Sequence, residues 1–229
     1  MVKIGLISAM EEESQEVYAA LGVPSEVTNE HGFFIRKYSM DEREYYVIRS
    51  GIGELSAALA AQYLAMQYGV KYLINFGLVG SLQPQYRLGD LVLAEKLVHY
   101  DFTTLYSDPA KMGMYPSRTE PYFYPSQELI RLAQNIMPSV KRGTIASADK
   151  FVNVPSLKED LVRRFDAHIC DMESAGILFA CEHASLPCLF LKLVSDNADE
   201  SAHETFHETL DRGTLAYVTL VKALARQLD

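Results

Sequence analysis

Short β-rich apolar runs alternate along the chain with stretches whose apolar residues recur every three or four positions. VKIGLIS (2–8), EYYVIRS (44–50), KYLINFG (71–77), DLVLAEKLV (90–98), RGTIAS (142–147), AHICD (167–171) and CLFLKLVS (188–195) predict strands. Several are apolar throughout, as strands covered on both faces are. Over 54–68, Leu55, Ala58, Leu59, Tyr63 and Met66 recur on one face of a predicted helix. Over 204–226, Phe206, Leu210, Tyr217, Val221 and Leu224 do the same. Residues 101–125 are rich in Pro, Tyr and Asp, have no period, and predict a long loop of the kind that is often functional. Its tyrosines 106, 115, 122 and 124 suit an interface or a lid. With no repeat, low-complexity tract or linker, the expected architecture is one α/β domain over 1–229. It would be a three-layer sandwich, a central mixed β-sheet flanked by helices.

Composition narrows the partners. A chain of 229 residues with 48% hydrophobic and 22% charged residues can bury a sizeable core. Its net charge of −9 repels phosphate backbones, so neither nucleic acid nor an anionic membrane is an expected partner. No apolar run reaches the roughly 18 residues of a membrane span, and no basic region leads into a signal-like stretch. Cys170, Cys181 and Cys188 are odd in number and sit in apolar surroundings, which suits reduced thiols. A cytoplasmic location is the expectation.

Candidate chemistry begins at SAMEEESQEV (8–17), where three glutamates follow the first predicted strand. In a helix starting near Met10, residues advance by about 100° each, so Met10, Val17 and Leu21 share a face. Glu13 falls inside that apolar sector, whereas Glu11 and Glu12 point elsewhere. Carboxylates complement a helix N-terminus by about 0.3–1 kcal/mol, which accounts for Glu11 and Glu12. A carboxylate on the buried face is costly without a partner or a polar cavity. Glu13 also follows the carboxyl end of a strand, where open α/β sheets place their ligands. Two further strand ends carry acids: Met172–Glu173 in CDMESAG and Ser195–Asp196 in LKLVSDNAD. Each alone reads as a cap or first-turn charge. Together, converging carboxylates in different environments let one site hold an acid and a base.

The segments KIGLISAMEEE, SGIGELSAA, SADKFVN, DMESAG and VSDNAD, in this order, resemble the signatures of bacterial 5′-methylthioadenosine/S-adenosylhomocysteine nucleosidases. The resemblance runs from residue 3 to the C-terminal helix and is weakest over 101–125. It implies a phosphorylase/hydrolase-like fold, a homodimer, and cleavage of the N-glycosidic bond of adenine nucleosides by water without a cofactor or a metal. It implies Asp196 as the general acid at adenine N7 and Glu13 as the holder and activator of the water. Glu173 would bind the ribose hydroxyls and Met172 would pack on the sugar. Phe151 would stack on the base and the backbone of Val152 would meet the purine edge. Phe206 would line the 5′ side, with Ile52 and Ser195 also in the pocket. The residue types suit this chemistry in their own right, because an oxocarbenium-like state is served by flanking carboxyl groups and adenine leaves once protonated. Two positions depart from the pattern. FGLVGSL (76–82) puts Leu78 where a hydroxyl residue is common, and Lys192 stands where an arginine is usual. Lys192 either helps hold the water or Glu13, or pairs with a structural acid.

Other readings compete. HETFH (203–207) formally matches H-E-x-x-H, but no His, Glu or Cys follows Glu208 to complete a zinc site. GIGELSA (51–57) has the form of a dinucleotide loop without its third glycine or its distal acid, and reads as a tight turn or a pocket wall. A purine nucleoside phosphorylase on the same fold would need arginines around phosphate, and the N-terminal loop offers MEEE instead. A non-catalytic nucleoside-binding protein is the remaining alternative. His99, Tyr100 and Asp101 read as a loop start or, by resemblance, as part of a stretch that reaches a partner subunit's pocket.

Overall fold

A computed structural model describes residues 1–104, 108, 111–199 and 218–228. Ten strands form one sheet: β1 (Val2–Ser8), β2 (Glu26–Glu30), β3 (Phe33–Met40), β4 (Arg43–Arg49), β5 (Tyr72–Ser81), β6 (Leu91–His99), β7 (Tyr122–Phe123), β8 (Lys141–Ser147), β9 (Ile169–Asp171) and β10 (Cys188–Asp196). The helices are α1 (Glu11–Leu21), α2 (Glu54–Tyr63), α3 (Gln127–Ile136), α4 (Pro155–Phe165) and α5 (Ser174–His183), with 218–225 also helical. The sheet is mixed. Strands β4, β1, β5 and β10 run parallel in register, β6 is antiparallel to β10, and β8 and β9 are parallel to β6 and to each other. Because β9 returns to pair with the end of β5, five strands (β5, β10, β6, β8, β9) close into a ring beside an open wing of β1, β4, β3 and β2.

Side-chain alternation sorts the core into layers. Ile4, Leu6, Tyr45, Val47, Ile74, Phe76, Leu189 and Leu191 pack with Val17 of α1, with α3 and with 218–225. Their neighbours Ile7, Tyr46, Ile48, Leu73 and Phe190 face the other way, onto α2 and α5. A period of two in strands apolar on both sides gives a sheet covered on both faces. This is the expected three-layer sandwich.

Two expectations need correction. The α2 segment, which continues through a wider turn at Leu64–Tyr68, was expected to bury Leu55, Leu59 and Met66. They are 78%, 63% and 76% exposed, and Ala57, Ala60, Ala61 and Leu64 are buried instead. The helix is apolar nearly all round, so periodicity could not tell the two faces apart. The alanine face won because small side chains let α2 lie close to α5 at Ala175 and Ala180. The second is the unforeseen hairpin β2–β3, which turns at His31–Gly32 with both residues at positive φ. Strand β2 is almost wholly exposed and lacks an apolar alternation to signal it. Within the long loop, Tyr115 stacks on Phe102 with centroids 3.8 Å apart and meets Phe123 edge-on. The Tyr122 hydroxyl donates to the Phe165 carbonyl at 3.1 Å. Both tyrosines therefore pack on their own chain, Tyr124 is exposed, and Tyr106 lies outside the described residues. The three cysteines are buried and free. No helix among the described residues is long and apolar enough to cross a membrane.

Candidate active site

The carboxyl ends of β1, β5, β9 and β10 open onto one cavity of about 330 Å³. Glu13, Glu173 and Asp196 all line it, although 183 positions separate the first from the last. Ile52, Phe151, Val152, Met172 and Ser195 line it as well. Lys192 does not, and Phe206 lies outside the described residues, as do His203, Glu204 and His207.

Glu13 sits where the helix-face argument put it, buried at the start of α1 beside Ser14 and Val17. Oε2 accepts the N–H groups of Ala9 and Met10, each at 2.9 Å, and Oε1 accepts that of Leu78 at 2.9 Å. The carboxylate thus caps its own helix and ties α1 to β5. Burial pushes its carboxyl above the ordinary glutamate range, against those N–H groups and the charge of Lys192. Glu11 instead stands part-exposed between Arg36 and Arg49.

Glu173 occupies the turn between β9 and α5. Its Oε1 accepts the Gly53 N–H at 3.0 Å, which ties it to the GIGELSA turn. Burial, helped by the charges of Asp171 and Glu13, pushes this carboxyl to about 7, while Lys192 opposes the rise. Asp196 ends β10. Its Oδ1 accepts from the Ala198 N–H and its Oδ2 from the Ser195 hydroxyl, both at 2.8 Å. Burial raises it too. A carboxyl held partly protonated can donate a proton, and one kept ionised can accept one.

Lys192 resolves the choice left open by the sequence. Its ammonium pairs with Asp171 Oδ2 at 2.8 Å, and both side chains are essentially inaccessible. Asp171 also accepts from the Ser174 hydroxyl. Burial alone would raise Asp171, but Lys192 holds it below the usual aspartate range. Asp171 lines the cavity and Lys192 stands behind it, where its cation lowers Glu13 and Glu173 through space. A lysine isolated in an apolar strand and an acid just before Met172–Glu173 were the signals for this partnership.

Sequence reasoning also passed over Gly77 and Gly80 of β5, noticing only the FGLVGSL segment they belong to. A Cβ on Gly77 would stand 2.7 Å from Glu13 Oε1, and one on Gly80 would stand 2.9 Å from Asp196 Oδ1. These two glycines clear the space in which both carboxyl groups sit. Asp149 was missed as well; it caps α2 by accepting the Glu54 N–H at 2.7 Å. The GIGELSA loop therefore receives side-chain carboxylates at its amides, and Ile52 serves as a pocket wall.

An α/β sandwich with three unlike carboxyl groups around one strand-end cavity has the residue types that acid–base chemistry needs. Residues 3–226 match the phosphorylase superfamily, and the chain belongs to that family as an enzyme of the nucleosidase type. It is 32% identical to the aminodeoxyfutalosine nucleosidase of Helicobacter pylori over 232 residues, covering all of both chains. It is 30% identical over 235 residues to the 5′-methylthioadenosine/S-adenosylhomocysteine nucleosidase of Halalkalibacterium halodurans, again covering all of both. The crystal structure of 5′-methylthioadenosine/S-adenosylhomocysteine nucleosidase from Helicobacter pylori with butyl-thio-DADMe-Immucillin-A superposes with a TM-score of 0.92 at 32% identity. That match covers 100% of this chain and 99% of the other.

Proposed function

We propose that the protein hydrolyses the N-glycosidic bond of adenine nucleosides (5′-methylthioadenosine, S-adenosylhomocysteine or 5′-deoxyadenosine) and releases adenine. The observation that carries this reading is the meeting of Glu13, Glu173 and Asp196 around one cavity. Asp196, raised by burial, protonates adenine N7, which turns the base into a competent leaving group. Glu13, fixed by three backbone N–H groups, holds and activates the water. Glu173 takes the ribose hydroxyls, and the negative charge of the site favours the cationic sugar of the transition state. Phe151 stacks on the base, the Val152 backbone meets the purine edge, and Met172 and Ile52 enclose the sugar and its substituent.

Water rather than phosphate is the favoured acceptor. No arginine is found among the described residues lining the cavity, and Glu13 would repel a divalent anion. A nucleoside of the aminodeoxyfutalosine type is a second reading, favoured by the 32% identical relative. The exposed apolar face of α2 supports a homodimer. Leu55 and Leu59 of α2 and Met66 of the turn that follows are exposed there, and exposed Ile52, just before the helix, carries the patch to the cavity mouth.

Free adenine measured over a panel of adenine nucleosides, with and without phosphate, tests the reading. Adenine should appear with free sugar and without ribose 1-phosphate. Asp196→Asn should bind substrate and turn over at least about 100-fold more slowly. Nucleoside binding with no adenine released over hours would refute the proposal.

A further inference from the structure

Ser147 ends β8, fully buried, with a carboxyl group on either side. Its Oγ accepts the Ala175 N–H at 3.1 Å and lies 2.7 Å from Glu54 Oε1. It also hydrogen-bonds the carboxyl of Asp171, its register partner on β9. A hydroxyl has one proton to give and two lone pairs to receive with. Ala175 takes one lone pair. Of the two acids, one therefore receives the Ser147 proton and the other must bring a proton of its own. Asp171 is the ionised one, because the Lys192 ammonium sits 2.8 Å away and the Ser174 hydroxyl donates to the same oxygen. Glu54 is left as the protonated acid, donating to Ser147. Its surroundings agree. Burial, with the negative charges of Asp171 on β9, Asp149 after β8 and Asp101 after β6, raises Glu54 to about 8. Asp101 is itself paired with Lys150 and His99, and the nearby phenols of Tyr100 and Tyr115 are raised by burial and stay neutral.

This relay stands directly behind Glu173. Glu54 opens α2 right after Gly53, whose N–H holds Glu173 Oε1 at 3.0 Å. Ser147 holds Ala175, two residues past Glu173 in the first turn of α5. The two helix starts also touch, since a Cβ on Gly176 would collide with the Glu54 carbonyl. Resting on the nucleosidase reading above, we propose that Glu54, through the proton it gives to Ser147, is a positioning residue for Glu173 and so for the ribose hydroxyls. Once that proton is gone, Glu54 and Asp171 compete for one hydroxyl, and two like charges repel across it. The strain falls on the turn that carries Gly53, and Glu173 loses its hold on the sugar.

The test measures KM and kcat for adenine release from 5′-methylthioadenosine between about pH 6 and 9.5 on wild type, Glu54→Gln and Glu54→Met. A glutamine amide donates to Ser147 at every pH, as the protonated acid does. Every other acid of the site titrates in both proteins, so the ratio of KM, wild type over Glu54→Gln, isolates residue 54. That ratio should lie near one at the acid end and rise about tenfold at the alkaline end, the size of one lost hydrogen bond to a charged group. Glu54→Met has no proton to give and should show a raised KM throughout, which Glu54→Gln does not. A ratio that stays within twofold over the whole range, or a difference carried by kcat alone, overturns this inference while adenine is still released. Absence of adenine with wild-type protein would overturn the nucleosidase reading beneath it.

Discussion

Glutamine at position 13 keeps the shape of the side chain and removes its charge. The native carboxylate accepts three backbone N–H groups, two on Oε2 and one on Oε1. A glutamine has one carbonyl oxygen. If the oxygen keeps Ala9 and Met10, the amide nitrogen faces the Leu78 N–H and one bond is lost. The opposite orientation loses two, so the first is preferred. A hydrogen bond to a charged group contributes about 1.5–3 kcal/mol, which is the expected loss of stability. The preferred orientation also turns an N–H₂ donor toward the water, and the site loses its base at an expected cost of about 10²–10⁴ in kcat. Glu11→Gln is the control. Its carboxylate bridges two arginines at the surface, and such pairs are worth about 0–1 kcal/mol. Adenine release and urea unfolding should be measured on both variants. Equal loss of kcat in the two would refute the assignment of Glu13 and the helix-face reasoning behind it.

Further outcomes are expected elsewhere. Glu54 is buried against the Ser147 hydroxyl at 2.7 Å, and burial raises its carboxyl from 4.5 to about 8. A folded value above the unfolded one means that the stability this group contributes is full below pH 4.5 and falls as pH rises to about 8. Each pH unit in that window costs roughly 1.4 kcal/mol, so Glu54→Gln should gain on wild type by about 3 kcal/mol between pH 5.5 and 7.5. Parallel urea-unfolding profiles over that range would contradict it. Leu59→Asp should convert a dimer to monomers in sedimentation and leave the fold intact by circular dichroism; an unchanged sedimentation coefficient would remove α2 from the interface.

How much of this was legible in the sequence depended on how many physical constraints each residue met. Glu13 was legible because a carboxylate inside an apolar helical stripe has few bland explanations. The parallel strands were legible because runs such as CLFLKLVS are apolar beyond what a half-buried strand needs. The buried side of α2 was not, because Leu55 and Ala57 are both apolar and the choice was made by the closeness of α5. Strand β2 was hidden by its exposure. That Lys192 needs an acid was legible, but that the acid is Asp171 needed three-dimensional proximity, as did the roles of Gly77 and Gly80, which only the bulk of neighbouring carboxyl groups reveals.

Strand β5 has a further consequence for how the protein comes into being. It pairs with β1 on one edge, β10 on the other and β9 at its tip, so it joins the wing that brings Glu13 to the ring that brings Asp196. Nearly the whole chain must leave the ribosome before the last of these partners can zip on. Such distant pairings slow the search for the native state. Until β10 docks, a nascent chain presents a raw, strongly apolar strand edge to its surroundings. A fragment ending before β10 lacks Asp196 and one whole edge of that central ribbon, and no activity is expected of it.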